Sequence, residues 1–360
     1  MIIAGDLACP TAALSKQLTT VFETNASIFK NKAIVLNLEG MLGEEDLLKA
    51  KVPVLYNHPS VLDTLHSFST VTACLANNHI LDLPVKFGQT IEQLQKRKIN
   101  YAGAGSTHEK AYAPATFLED KQEVIVFNEC WNFLLYHQKN PANGIHLATI
   151  QFHGLADRVE QCKAEKPDAC IIIYLHWSLD LETLPYPMYR QFAQALINAG
   201  AAVVAGCHAH CVQGGEQYKK GYIVYGLGNF FLPNHVFANG HLFFPAFAAT
   251  QLVLEYIPKT NKAICHWFDY KEANGIHSLL HLESCSFESS ALMKKHSPYQ
   301  QMSSTEYLPF FKKNRRKKVL IPLFKNYQNK RKLKTLTNLL KTRATFARLM
   351  ARVKIIKWGS

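Results

Sequence analysis

The chain has 360 residues, 48% of them hydrophobic and 11% aromatic, enough to bury a substantial core and to hold one large domain plus an extension. Its net charge of +13 belongs to one end: residues 312–360 hold 17 Lys or Arg and no Asp or Glu, so the first 311 residues carry a net −4. No apolar run is long enough to span a bilayer, "IIAGDL" after Met1 is not a signal peptide, and nine cysteines without CxxC pairs read as reduced thiols, which together exclude a disulfide scaffold and predict a cytoplasmic protein.

Along the first 255 residues, short apolar runs alternate with helical stretches. "MIIA", "AIVLN", "TVTACLA", "EVIVFN", "ACIIIYLH", "AAVVAG" and "YIVYGLG" are predicted strands, being short, rich in β-branched residues and followed by polar or glycine residues. Between them "PSVLDTLHSF", "KFGQTIEQLQKRK", "ADRVEQCKAE" and "YRQFAQALINAG" have helical spacing, the last stopped by Gly200. This alternation predicts an α/β or α+β layered fold around a sheet. "ATQLVLEYI" and "AICHWFDYK" read as paired strands, whereas residues 278–304 carry little motif content. From "KKNRRKK" the composition shifts. Leu339, Phe346 and Val353 then recur seven apart among cations, the pattern of a basic amphipathic helix. The resulting division is 1–255, 256–311 as completion of the core or a lid, and a tail over 312–360.

The residues that follow the strands carry the chemistry. Asp6 follows "IIAG", Glu39 follows "VLNL", Asn77, Asn78 and His79 follow "TACLA", His176 follows "IIIYL", and His208 and His210 follow "VVAGC". Singly, an acid after a strand is a cap and "HAH" is a polar turn. Recurrence at five strand ends points instead to one shared site, because ligands bind beyond the carboxyl ends of such strands. Oxygen and imidazole donors together suit one or two divalent transition ions such as Mn, Zn or Fe. Cys9, Cys207 and Cys211 flank these motifs and are read as packing.

In order, "GDL", "NLEG", "LANNHILD", "YAGAG", "HWS", "GCHAHCVQGGE" and "YGLGNF" resemble the capsule synthesis CapA, or poly-γ-glutamate synthesis, family of the calcineurin-like metallophosphoesterase superfamily, over roughly residues 1–250. The resemblance implies a four-layer αββα sandwich with a metal site at its strand ends. It implies that Asp6 and His210 hold one ion, that Asn78, His176 and His208 hold a second, and that Glu39 bridges them. His79 would donate a proton to a leaving oxygen; Asp82 would orient His79 or, in the preferred reading, cap the next helix. Asn77 and Asn229 are the candidate substrate contacts, Asn229 alternatively closing the pocket wall with Phe230. Ala8 stands where the superfamily's phosphoesterases commonly have the His of Asp-x-His, a gap the resembled family often shares; from the family pattern itself Ser178 and Asp180 depart, replacing the Gly and Glu of His-Trp-Gly-x-Glu, and Ala209 replaces a Pro.

The expected function is therefore a CapA-like, metal-dependent hydrolase of a phosphoester or related bond in the making of an anionic surface polymer, capsular polysaccharide or poly-γ-glutamate. The alternative is a non-catalytic assembly or export factor that keeps the site as a binding module. The tail 312–360 would bind an inner membrane face, or dock on the catalytic domain or a synthase partner. Nucleic acid ranks below these, since no groove-reading or base-stacking module accompanies the tail.

Overall fold

The structure is a computed structural model and describes residues 1–49, 54–131, 144–234, 244–316 and 342. Two sheets face each other. The first has the order Ile276–Ser286, Lys262–Ala273, Thr250–Ile257, Ile2–Leu7, Ala33–Leu38, Thr70–Cys74 and Asn100–Ala102, with Asn229–Phe231 also pairing to Ile2–Leu7. The second runs Val212–Tyr218, Gly221–Leu227, Val203–Cys207, Cys170–His176, Gln122–Cys130, Ala115–Glu119. In the second sheet the inner strands are parallel and antiparallel strands finish both edges; in the first, Ile2–Leu7, Ala33–Leu38, Thr70–Cys74 and Asn100–Ala102 run parallel and the antiparallel strands lie on the other side of Ile2–Leu7.

Alternation along the strands sorts side chains between layers, because successive residues point to opposite faces. Val35 of the first sheet and Ile172 and Tyr174 of the second meet in a core between the sheets. The opposite faces carry Ile34 and Leu36, which pack under Leu18, Val21 and Phe22 of the helix Ala12–Thr24, and Ile171 and Ile173, which pack under Phe192 and Leu196 of the helix Pro187–Asn198. The result is helix, sheet, sheet, helix, the four-layer mixed α/β sandwich expected. All nine cysteines are free thiols, seven of them buried.

The segment beyond residue 255 is built into this body. Lys262–Ala273 and Ile276–Ser286 extend the first sheet as an antiparallel pair. The helix Ser304–Asn314 inserts Tyr307 and Phe311 into the core beneath the second sheet. Its start is fastened by a capping box between Ser303 and Glu306. The expected basic amphipathic helix lies, beyond Arg316, outside the described residues apart from Thr342.

Candidate metal centre

Parallel strands deliver their carboxyl ends to one rim, and there the predicted residues meet. In Ala33–Leu38 and Cys170–His176 the inward alternation that buries Val35 and Tyr174 carries on to Asn37 and His176. Asp6 reaches the same face by an irregularity. Ile3 pairs with Val35 but Asp6 pairs with Asn37, so one extra residue is accommodated between them. That bulge moves Asp6 to the inner face, since a one-residue slip exchanges the faces of a strand. Gly5 makes it possible: a Cβ there would lie 1.9 Å from the Gly228 carbonyl oxygen.

After the strand Val203–Cys207, His208 and His210 take φ of +83° and +52°. Left-handed backbone at two non-glycine residues costs about 1–3 kcal/mol each and turns both imidazoles into the rim. Ser178, standing at the position of the family's Gly, also has a positive φ, +84°, and its hydroxyl accepts from Gln213 Nε2 at 2.9 Å.

The donors form a connected set. Asn37 Nδ2 donates to Asp6 Oδ1 at 2.7 Å, and the His208 backbone N–H donates to Asp6 Oδ2 at 3.2 Å. His210 Nδ1 lies 3.4 Å from Asp6 Oδ2 and 2.8 Å from Asn229 Oδ1. His176 Nε2 stands 2.6 Å from Asn78 Oδ1 and 4.0 Å from Glu39 Oε1. His208 Nε2 lies 3.1 Å from Asp180 Oδ1. Glu39 differs from all of these: it is 0% exposed, and neither carboxylate oxygen has a hydrogen-bond partner.

Burial and charge set the protonation of the group. Burial raises the Glu39 carboxyl, the neighbouring Asp6 charge adds to this, and the result is about 8. Burial pulls His210 down, but the Glu39 and Asp6 carboxylates outweigh it and raise the imidazole to about 10. His208 falls to about 4 and His176 well below its usual value, chiefly through burial. Burial would likewise raise Asp6, yet His210, His176 and Asn37 hold it below the usual carboxylate range.

A cation fits this arrangement. A buried carboxylate without donors is costly, and a positive ion supplies what the described residues do not. One donor atom each from Glu39, His208 and His210 lie within 4.8 Å of one another, and so do those of Asp6, His176 and Cys207. This grouping differs from the expected partition, which paired Asp6 with His210 and placed His208 beside His176. Cys207 belongs to the scaffold. Its thiol is pushed well up by burial, donates to the Leu175 carbonyl at 3.6 Å, and lies 3.1 Å from His176 Nδ1.

Two expected roles change with the geometry. Asp82 does not cap the following turn, whose N-cap is Leu83; its Oδ2 lies 2.7 Å from His79 Nδ1 and accepts from the Leu55 backbone N–H at 3.0 Å. Asn77 is fully buried and spends its amide on Asn37 Oδ1 and the Leu38 carbonyl, and its oxygen on the Gly40 and His79 N–H groups. It shapes the loop instead of facing a substrate. Asn229, 3% exposed, holds the His210 ring. Two participants were not read as site residues from the sequence: Asn37, whose inward alternation two positions before Glu39 is a visible signal, and Asp180, whose contact with His208 depends on the loop after His176.

Residues 2–234 match the family described as "Bacterial capsule synthesis protein PGA_cap". The chain is a member of that family. Among its relatives, this PGA_cap protein is 26% identical over 181 residues to the capsule biosynthesis protein CapA of Bacillus anthracis, an alignment covering 43% of this chain and 38% of that one. It is 24% identical over 176 residues to the PGA biosynthesis protein CapA of Bacillus subtilis, covering 43% and 40%. It thus spans less than half the length of these two relatives. Among solved structures, the sulfate thiohydrolase SoxB of Thermus thermophilus aligns with 80% of this PGA_cap chain and 46% of its own, at 11% identity and a TM-score of 0.39. Among the described residues of the PGA_cap protein, no helix is long and apolar enough to cross a membrane.

Proposed function

We propose that this PGA_cap protein is a metal-dependent hydrolase acting on a phosphoester or related bond in the making of an anionic surface polymer. The observation that carries the reading is the Glu39 carboxylate, sealed from solvent and unpartnered amid Asp6, His176, His208 and His210. Asp6, Glu39, Asn78, His176, His208 and His210 would hold one or two divalent ions. When bound, such ions polarise a phosphate-like oxygen and bring a water molecule's pKa near neutrality.

The chain's own residues would do the rest. Asn37 and the His208 N–H orient the Asp6 carboxylate, and Asn229 and Cys207 fix the His210 and His176 rings. His79 is half-buried at the rim. Burial lowers its pKa, but the Asp82 charge and hydrogen bond prevail and raise it, which favours the protonated ring whose Nε2–H would be offered to a leaving oxygen.

Elemental analysis of the purified protein tests the reading. One or two transition ions per chain are expected, lost in the double variant His208→Ala, His210→Ala while the circular dichroism spectrum is kept. Metal-dependent turnover of a generic phosphomonoester or phosphodiester is the second readout. A wild-type chain that neither carries nor takes up Mn, Zn or Fe would sink the proposal. A binding module is the second reading, favoured by Ala8, which is buried against Leu55 and Leu232 where an imidazole would otherwise stand; metal uptake without turnover of any phosphoester would select it.

A further inference from the structure

His208 uses its two ring nitrogens differently. Nε2 lies 3.1 Å from Asp180 Oδ1, whereas Nδ1 is closed off from solvent and has no hydrogen-bond partner among the described residues. A neutral imidazole carries one N–H and one lone pair, and the group that faces one nitrogen settles which is which. An ionised carboxylate only accepts, so Asp180 draws the hydrogen to Nε2 and leaves the lone pair on Nδ1. The His208 side chain is 5% exposed and that of Asp180 58%, so the acid meets the ring from the solvent side. Asp180 also stands apart from the converging donors: Glu39, His208 and His210 offer atoms within 4.8 Å of one another, and Asp180 is not of that group.

The loop that carries Asp180 is fastened on both sides of it. The Trp177 N–H donates to the Cys207 carbonyl at 3.3 Å, and the Leu181 N–H donates to the Ala209 carbonyl at 2.8 Å. Residues 177–181 therefore run beside 207–209, with Asp180 opposite His208. Ser178 and Leu181 take φ of +84° and +57°, a left-handed backbone that non-glycine residues keep only where their surroundings impose it. Here the buried Gln213 imposes it: its Nε2 donates to Ser178 Oγ at 2.9 Å and to the Glu182 carbonyl at 2.7 Å.

We propose that Asp180 is a positioning residue of the metal centre: it orients the His208 ring and holds its hydrogen on Nε2, so that Nδ1 is the atom His208 offers to an ion. The purpose of this arrangement rests on the metal-centre reading, although the orientation itself needs no ion. A carboxylate behind a ligating imidazole raises the basicity of the ring and fixes its tautomer. Asp180 completes a set, since the rings of His210 and His176 already have Asn229 and Cys207 beside them.

The test uses the full chain, isotope-labelled at its histidine nitrogens, and the variants Asp180→Asn, Asp180→Ala and Asp180→Glu, with Zn as the probe. A His208→Gln protein identifies the His208 signals. In the metal-free wild type, long-range proton–nitrogen NMR spectra should place the hydrogen of His208 on Nε2, and added Zn should bind through Nδ1. An amide donates as well as accepts, so Asp180→Asn should show a mixture of tautomers. Chelator competition should give a Zn affinity weakened about 10- to 100-fold in the Asn and Ala variants and close to wild type in Asp180→Glu, which keeps the charge. Melting temperatures of the metal-free variants should match wild type, because the replaced side chain is mostly exposed.

A hydrogen on Nδ1 in the metal-free wild type, Zn bound through Nε2, or wild-type Zn affinity in both the Asn and Ala variants would each overturn the assignment. A wild-type chain that takes up no Zn would instead count against the metal-centre reading, and the tautomer of the metal-free protein would still decide whether Asp180 sets the ring.

Discussion

Asp82 is a single carboxylate that ties two loops: Oδ2 faces His79 Nδ1 at 2.7 Å and accepts from the Leu55 N–H at 3.0 Å. Replacing it by Asn keeps an acceptor for Leu55 and removes the charge that holds the His79 proton. Under the hydrolase reading, Asp82→Asn should lower turnover by about 10- to 100-fold with metal content unchanged, and should move the alkaline limb of the pH–rate profile to lower pH. Steady-state kinetics across pH 6–9 would show it. An unmoved profile would leave Asp82 as a loop tie alone. Both residues stand in "LANNHILD", yet their partnership is decided by the turn between them, which brings Asp82 back to His79 instead of onward to the next helix.

At the scale of elements, the bulge at Gly5 and the turn at His208 to His210 place the site. Gly5→Ala would drive a Cβ into the Gly228 carbonyl, which is backbone and cannot step aside. A loss of about 3 kcal/mol is expected, read from urea unfolding, with metal uptake impaired in the protein that still folds. Elsewhere the fold relies on a buried ion pair. Arg190 Nη2 and Nε donate to Glu216 at 2.8 and 3.0 Å, Arg190 also donates to the carbonyls of Met302 and Gln300, and its guanidinium lies over Tyr299 and Tyr307. The pair thus fastens Ser304–Asn314 to the second sheet. Arg190→Met should cost about 3–5 kcal/mol because it leaves the buried Glu216 carboxylate with only the neutral donors Gln194 and Tyr225, and adding Glu216→Leu should recover much of that loss. Equal stability of the single and double variants would refute the coupling.

For the molecule as a whole, acid sensitivity outside the metal centre should centre on the junction of the Thr250–Ile257 strand with its neighbours. Glu255 meets Lys32 at 2.7 Å and His266 at 2.9 Å; burial would raise its carboxyl, but these partners lower it to about 2. A depressed folded pKa stabilises above the ordinary value of 4.5 and is lost as pH falls from 4.5 towards 2. Thermal melts should show wild type above Glu255→Gln at pH 7, with the gap closing by about pH 2. A gap that does not change with pH would mean that Glu255 acts through packing.

The layered class, the seven central strands and the rim residues Asp6, Glu39, Asn78, His79, His176, His208 and His210 were legible in the chain, because buried parallel strands must be short apolar runs and must end in polar turns. The helix Ala12–Thr24 went unread although Thr11 caps it and Leu18, Val21 and Phe22 follow helical spacing. The strand Ile276–Ser286 was hidden for a better reason: it is an edge, largely exposed, so burial does not enforce alternation along it. Local pattern tells which residues an element can bury. Which of them meet depends on contacts distant in sequence. Asp6 turns inward only because Gly228 lies against Gly5, Asp180 reaches His208 only through its loop, and the helix Ser304–Asn314 joins the body only because Tyr307 and Phe311 enter a core whose residues lie more than a hundred positions away in the chain. Side-chain period is local, whereas register, bulges and long-range packing are properties of the assembled sheets.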